Sequence, residues 1–211
     1  MRVREILTNS REPEASKRKR APSREARAAG SAQALRLRGV LAYVALGSNL
    51  GDREAMLRAA CERIDATTGL RILRASHLWE TAPVGPPQPD YLNAVIEVDA
   101  CLAPNAHLET LKRIESELGR IRDPSTRWGA RTIDLDLLWQ GGLHLSTGDL
   151  VLPHPRIAER SFVLAPLVEL APKLDLDGSS AEELLSRRPA AEREGVRRLG
   201  TLLAAASNPE G

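Results

Sequence analysis

Two acids one residue apart stand in the stretch Arg131-Thr132-Ile133-Asp134-Leu135-Asp136-Leu137-Leu138. Thr132 to Trp139 has the composition of a strand, and on a strand alternate side chains share a face. Asp134 and Asp136 therefore point one way, while Leu135 and Leu137 point into the core. Carboxylates about 7 Å apart at Cβ repel each other unless something positive lies between them. An uncharged substitute at either position is then expected to leave the empty fold intact or slightly more stable. Mg²⁺ takes hard oxygen ligands, and paired Mg²⁺ ions about 4 Å apart serve phosphoryl transfer. Taken alone, a D-x-D pair is equally an exposed strand edge with two solvated acids.

The neighbourhood narrows the chemistry. Arg120, Arg122, Arg127 and Arg131 precede the pair, with Trp128 among them. Arginines beside acids can be plain salt bridges. They are also what a polyphosphate–metal site needs, with acids for metal and guanidinium forks for phosphate. Neither GxxxxGK[ST] nor GxGxxG occurs, and Lys112 is the one lysine between residues 40 and 170. If ATP binds, arginines hold its phosphates. A third group is Leu152-Pro153-His154-Pro155-Arg156, followed by Arg160-Ser161-Phe162. A histidine between prolines is rigidly aimed, or it is a turn histidine without a partner. His77, His107 and His144 fall in no pattern, and no role is assigned to them.

The elements that must position these residues follow from patterning. Val40 to Leu46 is a short apolar run, as in a buried strand. Gly47 to Asp52 is a turn with Asp52 as N-cap, and a helix follows with Met56, Leu57, Ala60, Cys61 and Ile64 on one face. Leu70 to Thr81 is predicted to be one strand, Ala82 to Asp90 a Pro-rich loop, and Tyr91 to Val98 a strand. Pro104 opens a helix to Leu118, with Leu108, Leu111, Ile114 and Leu118 inward and Gly119 as its stop. Gly119 to Arg131 is a loop. A helix over Ser161 to Leu170 and a capping box at Ser180-Ala181-Glu182-Glu183 come later. The order β-α-β-β-α-β predicts an α+β, ferredoxin-like fold: an antiparallel sheet with helices on one face, plus C-terminal additions. The other face is left for loops and ligands.

Composition sets the bounds. With 211 residues, 42% of them hydrophobic, the chain suits one globular domain and not comfortably two. No apolar run reaches the roughly 18 residues that span a bilayer. The basic start lacks the apolar segment of a secretory signal. Cys61 and Cys101 form no CxxC pair and are expected to be small buried hydrophobes in a reducing compartment. The net charge of +2 hides an asymmetry: residues 1–39 carry 11 Lys/Arg against 4 Asp/Glu, and the remainder carries 19 against 24. Residues 1–38 are therefore expected to be a disordered basic tail, preceding a domain over residues 39–211. That tail could be a misassigned start, a solvated extension or a weak nucleic-acid-binding arm. The basic surplus belongs to the tail, so a nucleic-acid function argued from the charge would rest on the tail alone, and no nucleic-acid partner is expected.

The chain resembles the 6-hydroxymethyl-7,8-dihydropterin pyrophosphokinase family over about residues 41–172. The matching segments are Ala45-Leu46-Gly47-Ser48-Asn49-Leu50-Gly51-Asp52, Thr81-Ala82-Pro83-Val84-Gly85-Pro86 and Gln88-Pro89-Asp90-Tyr91-Leu92-Asn93. Gly119-Arg120-Ile121-Arg122, then Arg127-Trp128-Gly129-Ala130-Arg131-Thr132-Ile133-Asp134-Leu135-Asp136, and finally Leu152-Pro153-His154-Pro155-Arg156 complete the match in family order. The resemblance implies pyrophosphate transfer from ATP to the pterin alcohol, giving AMP, in folate biosynthesis. It implies Asp134 and Asp136 as ligands of two Mg²⁺ ions, and Arg120, Arg131, His154 and Arg160 on the triphosphate. Glu115 helps in nucleotide binding, and Arg122, Arg127 and Trp128 lie in a loop that closes over the reactants. The pterin lies between Tyr91 and Phe162, with Gly47, Thr81, Val84 and Asn93 reading its polar edge. The enzyme so implied is a cytoplasmic monomer acting on small molecules, away from membranes. Departures from the family pattern are Ala82, Pro155 and Asp123.

Two other readings use the same residues. A different metal-dependent nucleotide transferase would keep the acids and arginines without Tyr91, Asn93 and Phe162. An RNA-recognition module would need sheet aromatics, and aromatic residues make up 3% of this chain.

Overall fold

The first strand continues through Gly47 and Ser48, two residues beyond the expected start of the turn, because both neighbours pair with it there. In the computed structural model, which describes residues 39–83, 87–120 and 129–203, β1 runs from Val40 to Ser48. Ala42, Val44 and Leu46 are buried on one face of it and Tyr43 on the other. The helix α1 (Arg53–Asp65) starts where expected: Asp52 Oδ1 accepts from the amide of Ala55 at 3.0 Å. Leu57, Ala60, Cys61 and Ile64 are its buried stripe.

Leu70 to Thr81 is two strands, β2 (Leu70–Ala75) and β3 (His77–Thr81), broken at Ser76. Ser76 Oγ accepts from the amide of Val95 at 3.0 Å, so a hydroxyl replaces a carbonyl in the ladder. The strand β4 (Tyr91–Ala100) runs two residues beyond its expected end. It is followed by α2 (Pro104–Glu117) and β5 (Asp134–Gln140). A short hairpin, β6 (Leu145–Ser146) and β7 (Val151–Leu152), leads to α3 (Ser161–Leu170), α4 (Ala181–Ser186), α5 (Ala190–Glu194) and β8 (Val196–Thr201). The capping box at Ser180 and Glu183 is formed in both directions.

The main sheet is antiparallel in the order β5-β1-β4-β3-β8, with β2 also pairing with β4. Beneath one face, α1 and α2 close a core around Val44, Leu46, Leu57, Ile64, Ile96, Leu111 and Ile114. The other face is not left open. Tyr43, Val95, Leu138, Val163, Leu164 and Leu167 form a second apolar cluster there, under α3. Alternation puts Leu138 on that face, and a register shift in β5 adds Trp139: Val44 faces Leu137 and Tyr43 faces Trp139, so Leu138 is extra and the Trp139 ring comes to lie 5.9 Å from that of Tyr43.

Polar residues lock the ends of these layers. Glu169, near the end of α3, accepts from the backbone amide of His77 at 2.9 Å and the indole N–H of Trp79 at 3.1 Å. Arg198 of β8 pairs with the same carboxylate at 3.3 Å. Thus α3 is tied to β3 and β8. The sequence marks neither Glu169 nor β8, because an i→i+90 pairing leaves no local pattern. Cys61 is buried, and burial pushes its thiol up to about 12, whereas Cys101 is exposed, contrary to expectation. Among the described residues no helix is long and apolar enough to cross a membrane.

His107 lies on the buried side of α2 with its Nδ1 at 3.0 Å from Gln140 Oε1. Burial holds its pKa below the ordinary histidine value, opposed by the bond to Gln140. The folded state then binds fewer protons than the unfolded state below about pH 6.5, so stability is full above that pH and falls as pH drops. The slope from one group is at most about 1.4 kcal/mol per pH unit. Thermal melts between pH 7 and pH 5 should show a shallower decline for His107→Asn than for the unaltered chain. Equal slopes would contradict this.

Candidate active site

Asp134 opens β5 opposite Gly47 of β1, and Asp136 stands opposite Ala45. Leu135 and Leu137 are 4% and 2% exposed, so the alternation does aim both carboxylates to the same side, away from the α2 core. Each acid meets an arginine. Arg120 Nη1 donates to Asp134 Oδ1, and Arg131 Nη1 donates to Asp134 Oδ2 at 2.5 Å. Arg160 Nη1 reaches Asp136 Oδ2 at 3.3 Å.

Behind this pair sits Glu115 of α2, 1% exposed. It accepts from the amide of Leu135 at 2.7 Å and from Arg120. A buried carboxylate needs such partners. Here they fix the start of β5 and the reach of Arg120 together. Burial alone would lower the pKa of Arg120, but Asp134, Glu115 and Asp136 outweigh it and hold the group above its ordinary value. For Arg160 the balance is reversed: burial and then the neighbouring Arg156 win over Asp136 and Asp134. His154 also lies below the ordinary histidine range, by burial first and then by Arg160 and Arg156 against Asp136. Its Nδ1 accepts from the amide of Arg156 at 3.2 Å, which leaves Nε2 as the protonated nitrogen of the neutral ring.

Next to the acids is an aromatic slot. Tyr91 and Phe162 line the same cavity as Asp134 and Asp136, with a volume of about 380 Å³. Asn93 Nδ2 donates to Thr81 Oγ1 at 2.9 Å at its floor. Gly47 keeps the slot open, since a Cβ there would come within 3.2 Å of Asn93 Oδ1. Arg160 lies 5.6 Å from the centre of the Phe162 ring, so one arginine touches both halves of the site. The frame is held by Asn49, which donates to Gln88 Oε1 and to the carbonyl of Pro89, and accepts from the amide of Arg131 at 2.7 Å.

A cavity that combines a phosphate-type cluster with a flat, polar-edged slot suits two ligands, one anionic and one heterocyclic. The model of the 7,8-dihydro-6-hydroxymethylpterin-pyrophosphokinase family (HPPK) matches residues 43–172. The chain belongs to this family. The relatives agree. The 2-amino-4-hydroxy-6-hydroxymethyldihydropteridine pyrophosphokinase of Methylorubrum extorquens is 44% identical over 147 residues, which cover 69% of this chain and 92% of that protein. The enzyme of the same name from Bacillus subtilis is 42% identical over 158 residues, covering 74% and 89%. Among solved structures, an HPPK-DHPS in complex with substrates matches with a TM-score of 0.61 at 12% identity. A Plasmodium falciparum HPPK-DHPS with pteroate matches with a TM-score of 0.58 at 13% identity. The chain spans about half of those longer structures, 46% and 47%, so they bear on its fold alone.

Of the HPPK residues expected from sequence, Gly47, Thr81, Tyr91, Asn93, Glu115, Arg120, Arg131, Asp134, Asp136, Arg160 and Phe162 line one cavity. His154 is not in the lining; its amide donates to the carbonyl of Leu138 in β5 at 2.8 Å. Val84, Arg122, Arg127 and Trp128 lie outside the described residues. Lining or framing residues to which the sequence assigns no ligand role include Asn49, Leu108, Lys112 and Arg156. Leu108, Lys112 and Glu115 share a helix face at i, i+4 and i+7, a spacing that could have marked the first two once Glu115 was chosen. Among the described residues no three His, Cys, Asp or Glu side chains gather as a metal cage. Two carboxylates fit Mg²⁺ nonetheless, because it keeps waters and is held mainly by substrate phosphates with one or two carboxylates.

Proposed function

We propose that this chain transfers the terminal pyrophosphoryl group of ATP to the hydroxymethyl oxygen of 6-hydroxymethyl-7,8-dihydropterin in folate biosynthesis. Family membership supports the reaction, and ATP is the co-substrate of that family. The observation that carries the reading is one cavity holding both the Asp134–Asp136 pair with its arginines and the Tyr91–Phe162 slot.

Tyr91 and Phe162 stack on the pterin, while Gly47, Thr81, Asn93 and Val84 read its amide and amino edge. Asp134 and Asp136 would hold two Mg²⁺ ions, which when bound neutralise the phosphate charge and make the β-phosphorus more electrophilic. Arg120, Arg131, Arg160 and His154 exchange their present partners for phosphate oxygens, with Glu115 keeping Arg120 in place. Arg122, Arg127 and Trp128 close over the reactants and exclude water. The hydroxymethyl oxygen then bonds to the β-phosphorus. The bond from that phosphorus to the α,β-bridging oxygen breaks, and its electron pair leaves with AMP. We assign Asp136 as acceptor of the hydroxyl proton, since the carboxylate of Asp134 is held by two arginines and that of Asp136 by one longer contact.

The order β1-α1-β2/β3-β4-α2-β5 and the antiparallel sheet support a ferredoxin-like core, with α3 to β8 as C-terminal additions. We place the enzyme in the cytoplasm as a monomer whose partners are ATP and a pterin alcohol, with no nucleic acid or membrane. Residues 1–38 are read as a dispensable tail before a catalytic domain over 39–211. A chain beginning at Gly39 should fold and release AMP at the rate of the full chain when Mg²⁺, ATP and the dihydropterin alcohol are present, and release none when the pterin is withheld. Loss of turnover on trimming would assign the tail a role. AMP release that ignores the pterin would sink the proposed substrate.

A further inference from the structure

The cavity is lined, among the described residues, by five cations: Lys112, Arg120, Arg131, Arg156 and Arg160. Four are engaged. Lys112 pairs with Glu109 at 2.8 Å, Arg120 with Glu115 and Asp134, Arg131 with Asp134, and Arg160 with Asp136. Among the described residues Arg156 has no carboxylate partner, and its hydrogen bonds are made by its backbone: the amide donates to His154 Nδ1 at 3.2 Å and the carbonyl accepts from the amide of Glu159 at 3.3 Å. Its side chain is exposed, yet its base is anchored. The amide of Ile157 donates to the carbonyl of His154 at 3.1 Å, Ile157 is buried in the second core, and a single 3-10 turn follows. The group is therefore an uncompensated positive charge, held at the cavity by a fixed turn.

We infer that Arg156 captures the triphosphate of the incoming nucleotide, before the other site arginines give up their carboxylates. The inference rests on the reaction proposed above and names a residue that reading does not use. A paired guanidinium must first break its ion pair to bind phosphate, whereas Arg156 breaks nothing. Arg156 and Arg160 line the same cavity and are held by one turn, in which the amide of Arg160 donates to the carbonyl of Ile157 at 3.2 Å, so one polyphosphate can meet the two in succession. An unpaired charge at a cleft raises the on-rate of an oppositely charged ligand, and salt weakens that effect.

The test is stopped-flow binding of α,β-methylene-ATP with Mg²⁺, at low and high salt. That analogue cannot break the bond that yields AMP. Arg156→Gln should lower the on-rate roughly tenfold at low salt and flatten its salt dependence. Turnover at saturating ATP should fall by a smaller factor than the on-rate, and Arg156→Lys should restore most of the on-rate. An unchanged on-rate overturns the inference. So does a fall in saturated turnover that exceeds the fall in on-rate, which would put Arg156 in the chemical step. Equal loss in the Gln and Lys variants with a lowered melting temperature would make the residue structural and also overturn it. Failure of the unaltered chain to bind the analogue would instead remove the underlying reading.

Discussion

Replacing Asp134 or Asp136 by Asn should reduce AMP formation at saturating Mg²⁺ by about a thousandfold or more, because metal stabilisation of phosphoryl charge is worth several kcal/mol and each 1.36 kcal/mol is tenfold in rate. The loss should fall on turnover rather than on pterin binding, since the Tyr91–Phe162 slot does not depend on either carboxylate. The effect on the empty fold now differs between the two acids. Repulsion between like charges had suggested that Asn would be neutral or stabilising at both. The structure instead gives Asp134 two arginine partners. Asp134→Asn takes charge away from beside Arg120, most of whose side chain is buried, and should lower the melting temperature. Asp136, with one contact at 3.3 Å, should be close to neutral. Addition of Mg²⁺ with a non-hydrolysable ATP analogue should stabilise the unaltered chain by mass action and stabilise both variants less. Near-normal turnover in either Asn variant would show that the pair is not the metal site.

The second large effect is expected at Glu115. Its carboxylate is fully enclosed and joins three things: α2, the amide that opens β5, and Arg120. Removing one partner of a buried ion pair typically costs about 3–5 kcal/mol. In a domain of this size, where 1 kcal/mol moves the midpoint by roughly 2–4 °C, Glu115→Ala should lower the melting temperature by at least several degrees. Turnover should fall with it even well below that temperature, because Arg120 and Asp134 lose their fixed placement. Glu115→Gln keeps an acceptor for the Leu135 amide and should lie between. Calorimetry alongside AMP assays separates these outcomes. An unchanged melting temperature for the Ala variant would show that Glu115 faces ligand only and does not hold the strand.

The parts of the molecule legible in the sequence are those written locally. The Asp52 cap, the α1 stripe, the Pro104 start of α2 and the Ser180 capping box each place their signal within a few residues of its effect. The same holds for the acid pair, since strand alternation alone aims Asp134 and Asp136 to one side. What the sequence hid depends on distant pairing. Nothing near Ser76 announces that its hydroxyl enters the β4 ladder, and nothing near Trp139 announces that an extra residue in β5 turns it towards Tyr43. Glu169 gathers donors from β3 and β8, and Asn49 joins the Pro-rich loop to Arg131. The second apolar cluster has no local signal for the same reason: its members lie on β1, β4, β5, α3 and α4 and in the turns before α3 and α4, with no common period.

The most direct measurement is phosphorus NMR of one reaction mixture containing the chain, Mg²⁺, ATP and 6-hydroxymethyl-7,8-dihydropterin. Attack at the β-phosphorus must yield AMP and a pterin ester carrying two mutually coupled phosphorus atoms, in equal amounts. That is the expected result. Formation of ADP with a pterin monophosphate, whose single phosphorus shows no such coupling, would mean transfer of the γ-phosphoryl group alone and would contradict the assigned reaction.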